Sequence, residues 1–305
     1  MGYTLHSVVD YENKFDGFNN KAFLNICADF FHLNLQYLIV KKKSEILAVL
    51  PYFFKRKYTF DVVVKPFIQY YQPIEFLFEK RKRRNENEKI KLQIMNAIAE
   101  FFQKEYYFFE TNLSPEIYDI RAFSHHQYNI RPLYTYQINL NENSLLNYHS
   151  SARKSIKKAI KNKIEFEEKY DIEKFITLHN LTFQRQKKKF PISDEKLLQL
   201  LKYFFEKKLF RQFNVKYKNE IIASRLVIPD QNNRIVYDFL AVSNPQLNNL
   251  GVNSYLIYKV IENLKTNFDL FDLCGANIPK IAEFKSHFDS RLVTFFKINW
   301  TKFSL

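Results

Sequence analysis

The segment FDLFDLCGANIPKIAEFKSHF, Phe268 to Phe288, gathers residues whose types and spacing suit chemistry at the end of a strand. An apolar run ends at Asp272, Cys274 and Gly275, and a proline-started helix follows that carries Phe284 and Lys285. Gly275 is one of only four glycines in 305 residues. Glycine tolerates a positive φ and lets another backbone or a ligand come close. Here it would end a central strand where open α/β folds commonly place ligands. Asn277 suits a helix N-cap, and Pro279 suits a first helical turn. Ile281, Phe284 and Phe288 would pin the helix to the sheet. Lys285 lies beside that face, so its stem can follow the packed surface while its ammonium reaches the strand ends. The alternative is a plain strand-to-helix turn with a surface lysine.

Two other places suit anions. In NNLGVN, Gly251 and the amides after it, at a helix N-terminus, could hold a phosphate; Asn253 adds a donor, and an ordinary helix start reads the same way. The helix from Arg153 to Lys163 carries Arg153, Lys154, Lys157, Lys158 and Lys161 on one face. That face reads as a contact for nucleic-acid phosphates or a phosphorylated substrate, or as a solvated face of a lysine-rich chain. KRKRR, from Lys80, and QRQKKKF, from Gln184, are ambiguous in the same way. Other chemistry lacks motifs. There is no HExxH, P-loop, GxGxxG or GxSxG pattern, and the pair His125–His126 has no nearby Cys or acidic partner. No metal site is expected. Cys274 as a nucleophile competes with the commoner buried cysteine.

Periodicity supplies the elements that must position these groups. Helices are expected at Ala22–Phe31, Ile90–Phe102, from Pro115 to about His125, and over SLLNYHSSARKSIKKAIKNKIEF, with Ala152, Ile156, Ile160 and Ile164 on one face. Two more follow, DIEKFITLHNLTFQRQ and one capped by Asp194, then Gly251–Leu264 and Pro279–Phe288. Strands are expected on either side of a turn at Lys43–Ser44, with Pro51 marking an edge or bulge. Others are YYFFETN, YNIRPLYTYQINL, FRQFNVKYK, IIASRLVI, RIVYDFLAV, FDLFDLC and LVTFFKINW. The order of elements repeats between the halves. It implies two related α/β (α+β) domains, 1–140 and 141–305, each a mixed, mostly antiparallel sheet flanked by helices. Composition fits a folded chain, with 46% hydrophobic and 26% charged residues. The net charge of +15 attracts phosphates, RNA and acidic lipid head groups. Two separated cysteines, the lack of a signal-peptide pattern and the lack of a long apolar run point to a reducing, cytoplasmic setting, with contact at a membrane surface as an option.

The order helix, helix, three antiparallel strands, helix, strand, helix, strand from Ser150 to Trp300 resembles the GNAT N-acetyltransferase fold. FDLCGANIPKIAEFKSHF resembles the D-L-x-G…F-K-x-x-F signature of its FemAB-like branch, which includes aminoacyl-tRNA-dependent peptidoglycan-bridge transferases and BioF2-like acetyltransferases. SARKSIKKAIKNKIEF and ILAVLPYFFKRK resemble that branch's basic helix and N-terminal hairpin. Two departures stand out. Asp289 occupies the position after F-K-x-x-F where members commonly have Gly, and NNLGVN keeps only Gly251 of the usual pyrophosphate loop.

The resemblance implies an enzyme that transfers an acyl group to an amine of an amino sugar, amino acid or cell-envelope precursor. Acyl-CoA is the preferred cosubstrate and aminoacyl-tRNA the alternative, with no metal. Implied catalytic residues are Lys285, as oxyanion stabiliser or substrate ligand, Asp272, as orienting group or base, and Tyr237. Asn248, Gly251, Val252 and Asn253 would bind the cosubstrate. Arg153, Phe284, Gly275 and Asp238 would meet substrate. Tyr237 and Asp238 lie where GNAT strands part, and adjacent strand residues face opposite ways, so at most one lines the gap. His287 is a candidate proton carrier. The rival class is a non-catalytic basic module that binds RNA or membrane on the same scaffold.

Overall fold

The structure, a computed structural model, describes residues 3–12, 14–79, 81, 83–186 and 189–302. Lys80 and Lys82 of KRKRR, and Lys187 and Lys188 of QRQKKKF, lie outside the described residues. Contacts divide the chain into two units. One runs up to Leu133 and resumes at Thr294; the other is Tyr134–Val293. The elements of the first are β1 (Thr4–Val8), α1 (Lys21–Phe31), β2 (Asn34–Lys42), β3 (Glu45–Lys57), β4 (Phe60–Val64), β5 (Glu75–Phe76), α2 (Arg84–Glu105), β6 (Phe108–Asn112) and α3 (Arg121–His125). The strand β7 (Asn129–Asn139) carries the chain into the second unit. There follow α4 (Ser150–Lys161), β8 (Glu165–Glu168), α5 (Ile172–Gln186), α6 (Asp194–Glu206), β9 (Arg211–Tyr217), β10 (Glu220–Asp230), β11 (Ile235–Ser243), α7 (Val252–Leu264), β12 (Leu270–Asp272) and α8 (Pro279–Ser286). The last strand, β13 (Arg291–Thr301), returns to the first unit.

In the first unit, Ile94, Ile98 and Phe102 of α2 are fully buried in a core shared with β2, β3 and β6. Pro51 sits inside β3, opposite Tyr37 of β2. The other side of β3 pairs with β5 at Ala48–Val49 and with β4 from Phe53. Pro51 falls in the gap between them, where a missing N–H breaks no ladder, and its carbonyl accepts from the Gln72 amide. The helix expected from Pro115 starts only at Arg121. Ile120 holds its cap position, and the Asp119 carboxylate just before it accepts from the Arg121 N–H at 3.1 Å in a local turn.

The second unit's sheet runs β7-β12-β11-β10-β9-β8. Its ladders are antiparallel except β11 with β12, which is parallel. One face packs against α4 and α7. The buried residues of α4 are Ala152, Ile156 and Ala159, while Ile160 is 56% exposed. The expected stripe therefore follows the wrong third residue: spacings of four and then three keep to a face of 3.6 periodicity, whereas two steps of four drift off it. Lys163, at φ 55°, ends the helix, and the following residues form β8 instead of continuing it. Ser193 caps α6, its Oγ accepting from the Lys196 N–H, and Asp194 is the first helical residue.

Each unit is closed by a strand from the other half of the chain. β12 pairs with β7, Asp272 opposite Gln137, and β13 pairs with β6, Trp300 opposite Phe109. A boundary at 140/141 thus falls after the strand that closes the second unit. Among the described residues no helix is long and apolar enough to cross a membrane.

Candidate functional site

Two helix N-termini meet at one cleft of the second unit. α7 begins at Gly251, which has φ 81° and follows a 3-10 turn, Pro245–Leu250. A Cβ at Gly251 would lie 2.2 Å from the Ser155 carbonyl oxygen, so glycine is what lets α7 start against the backbone of α4. By helix geometry the first-turn amides at Val252, Asn253 and Ser254 have no intrahelical acceptor. α4 begins beside them, capped by His149, whose Nδ1 accepts from the Ser151 N–H. The cleft is about 280 Å³. Its walls are Ser151, Ala152 and Ser155 from α4, Asn248 and Gly251 before α7, Asn253 and Ser254 in α7, Phe284 in α8, and His287. Asn253 Nδ2 donates to Asn248 Oδ1 at 3.1 Å and to Ser243 Oγ at 3.2 Å, and Ser243 Oγ donates to Asn248 at 2.9 Å. These side chains fix the loop shape and leave backbone amides for a ligand. The rings of His149 and His287 stack at 4.5 Å, and both Nδ1 atoms touch Ser151 Oγ, at 2.8 and 3.2 Å. Burial, reinforced by His149, holds the His287 imidazole below its ordinary pKa.

Of the expected cosubstrate residues, Asn248, Gly251 and Asn253 line this cleft and Val252 is buried beneath it. Phe284 joins them. Arg153 is exposed and is not among the lining residues. Ser151, Ser155 and His149 were not anticipated, because the sequence pattern began the basic helix several residues early. The pair of serines after a histidine was the available sign of its true start.

The second group lies where β11 and β12 part. They pair only through Ile235–Tyr237 and Leu270–Asp272, and β11 then continues to Ser243. Tyr237 stands opposite Asp272, so the two share one face of the sheet. Asp272 is fully buried and well supplied with donors. Its Oδ1 accepts from Thr135 Oγ1 at 2.7 Å and the Cys274 N–H at 2.8 Å, and its Oδ2 from Gln137 Nε2 at 2.9 Å. Asp238 faces the other way, beside Val236 and toward α7, and is ion-paired with Arg225.

After Asp272 the backbone turns left-handed twice, at Cys274 (φ 47°) and Gly275 (φ 72°). This aims three successive carbonyls at Lys285, whose Nζ donates to Leu273 O at 2.5 Å, Cys274 O at 2.6 Å and Gly275 O at 2.8 Å. Gly275 therefore serves the turn, and Lys285 holds it. Burial lowers the Lys285 pKa, with Asp238 opposing. Burial pushes the Cys274 thiol well up, which disfavours a thiolate nucleophile. Asn277 does not cap α8. Ile278 holds the cap position, and Asn277 Oδ1 accepts from the Tyr134 N–H at 3.0 Å. Ile281 is 37% exposed, so Phe288 and the partly buried Phe284 carry the packing. Asp289, at the position of the family's glycine, adopts φ 53°, and its carboxylate accepts from the Ser144 N–H and Asn147 Nδ2. Aspartate can take the left-handed conformation with local hydrogen bonds in support. Among the described residues no group of three or more His, Cys, Asp or Glu could hold a metal.

No protein-family model matches the chain, and no curated protein matches it in sequence. Solved structures do. FemX superposes with a TM-score of 0.65 at 10% identity, over 88% of this chain and 89% of its own. L-PGS from Bacillus licheniformis gives 0.58 at 10%, over 96% of each chain. A tandem GNAT protein from the clavulanic acid biosynthesis pathway gives 0.51 at 8%, over 99% of this chain and 100% of that one. With these neighbours and the two units above, the fold is the tandem GNAT fold, similar to that of FemX and L-PGS.

Proposed function

We propose that the chain is an N-acyltransferase whose working site is in the second unit. The observation that carries this is the parting of β11 from β12 on the same sheet that supports the cleft at the α7 N-terminus. The cleft offers amides and hydroxyls to the phosphates of an acyl carrier. The strand gap can pass an acyl group toward an amine of an amino sugar, amino acid or cell-envelope precursor. Attack on a carbonyl needs the amine and carbonyl held together and the developing oxyanion met by preset donors. Backbone amides at the β11 edge suit that task. Lys285 contributes by fixing the strand-end turn and by its charge, since its three N–H donors are held by carbonyls. Tyr237 and Asp272 share the opposite face, on the side from which an acceptor would approach.

Acyl-CoA is the first candidate donor. The exposed basic face of α4, which starts at the cleft, supports aminoacyl-tRNA as the second. Calorimetric titration with CoA, acetyl-CoA and tRNA at two salt concentrations tests this. Micromolar binding that persists at the higher salt is expected for a CoA enzyme. Binding of tRNA alone, lost with salt, would move the donor to tRNA. Binding of neither would overturn the reading.

A further inference from the structure

The cleft at the N-termini of α4 and α7 is lined by no Asp, Glu, Lys or Arg. Whatever draws an anion into it comes from the helix dipoles and from histidine. Ser254, the third residue of α7, is 8% exposed and lines the cleft. Among the described residues its hydroxyl has no hydrogen-bond partner. A buried polar group left unpaired at such a place calls for a ligand.

The α4 side is closed by its own side chains. His149 Nδ1 accepts from the Ser151 N–H, so it carries no proton there. The Ser151 hydroxyl therefore donates to His149 Nδ1 at 2.8 Å, and His287 Nδ1 donates to Ser151 Oγ at 3.2 Å. Neutral His149 thus occupies both hydrogens of Ser151, the amide and the hydroxyl. A proton on His149 Nδ1 reverses this. The ring becomes a donor at both nitrogens, and the two hydrogens of Ser151 are released at the start of α4. Ser151 and His287 both line the cleft, so the released donors serve a ligand there. The elements that meet here also carry Arg153 and Lys154 on α4, Glu283 and Lys285 on α8, and Asp289. Glu283 favours the charged form of His287. Lys285 is held by three carbonyls, and Asp289 by Ser144 and Asn147. Tyr148 and Tyr255 are uncharged, their pKa values raised by burial.

We propose that His149, Ser151 and His287 form a phosphate subsite on the α4 side of the cleft, opened by protonation of His149, so that a phosphate dianion and a proton bind together. This rests on the reading of the cleft as a place for phosphates, and it adds a second anchor to the α7 amides. The phosphate belongs to the donor's carrier or to a phosphorylated acceptor.

Calorimetry on the intact protein tests this with sulfate. Sulfate stays a dianion throughout the range, so any pH dependence belongs to the protein. Its affinity is expected to rise roughly tenfold from about pH 7.5 to about pH 5.5, the effect of one pKa unit of coupling. Titrations in two buffers of different ionisation heat should show uptake of about one proton. His149→Asn keeps a good N-cap that does not titrate, so its sulfate affinity should not change with pH. Ser151→Ala is the second variant should the first misfold, and it should weaken binding at the lower pH. CoA against dephospho-CoA, and glucosamine 6-phosphate against glucosamine, assign the source. The pair whose difference in affinity at the lower pH shrinks in His149→Asn supplies the phosphate. If sulfate binds but neither pair responds, the site takes an adventitious ion only and the proposal fails. Flat affinity in the unmodified protein, or a pH dependence that survives substitution, would overturn the subsite and leave the α7 amides as the phosphate site. If neither sulfate nor CoA binds at either pH, the reading of the cleft falls and the subsite with it.

Discussion

Lys285 shows how one side chain can read as catalytic in sequence and do structural work in space. Lys285 is 9% exposed, and its ammonium meets three carbonyls that the left-handed turn at Cys274 and Gly275 would otherwise leave unpaired. Lys285→Met should therefore cost about 3 kcal/mol, the scale for buried polar groups that lose their partner. Chemical denaturation should show it whether or not activity is measured, and a variant as stable as the parent would contradict the bonding. His179 yields a pH prediction. It is 2% exposed, and its Nδ1 meets Asp194 at 3.0 Å. Burial lowers its pKa, while Asp194 pulls partly the other way. The unfolded chain then binds more protons, so stability is present above about pH 6.5 and falls as pH drops from there through the folded pKa. His287, also lowered, adds in the same direction. His179→Gln can keep a bond to Asp194 without titrating, so its melting temperature should fall less than the parent's between pH 7 and 5. Equal slopes would mean that His179 does not titrate as described. Residue identity revealed the candidates, but their partners, such as Thr135 and Gln137 on Asp272, come from 137 and 135 residues away and leave no local mark.

At the scale of elements, the junction of α4 and α7 is the feature on which the cleft depends. Gly251→Ala should cost roughly 3 kcal/mol, because it combines a strained φ with overlap on the Ser155 backbone. It should also weaken any phosphate ligand, since the first turn of α7 must move. Loss of stability with unchanged ligand affinity would separate the glycine from the cleft. The phase of α4 is tested by two substitutions four residues apart. Ile156→Ala, at a site 1% exposed, should cost about 3 kcal/mol, and Ile160→Ala, at a site 56% exposed, less than about 0.5. Element types were readable because apolar spacing reports burial directly. Ends and phases were less so: Lys163 and His149 set the limits of α4 through a left-handed residue and a side-chain cap, which are single-residue events within a continuous pattern.

At the scale of the whole molecule, the repeated order of elements made two similar units visible, but it could not show that their closing strands are exchanged. Strand pairing joins distant segments, and YNIRPLYTYQINL and LVTFFKINW carry the same apolar alternation whichever edge they meet. The exchange has a consequence for dissection. A fragment of residues 141–305 lacks the part of β7 that pairs with β12, and with it Thr135 and Gln137. It also retains β13 without its partner β6, as an unpaired apolar edge. That fragment should be aggregation-prone and lack a cooperative melt. A fragment of residues 134–293 keeps the β7 edge, the donors to Asp272, the Lys285 turn and the whole cleft, and it removes most of β13. It should unfold cooperatively and bind whichever carrier the full chain binds. If 141–305 folds as well as 134–293, the β7–β12 pairing contributes little to the second unit, and Asp272 must be held by something other than this strand.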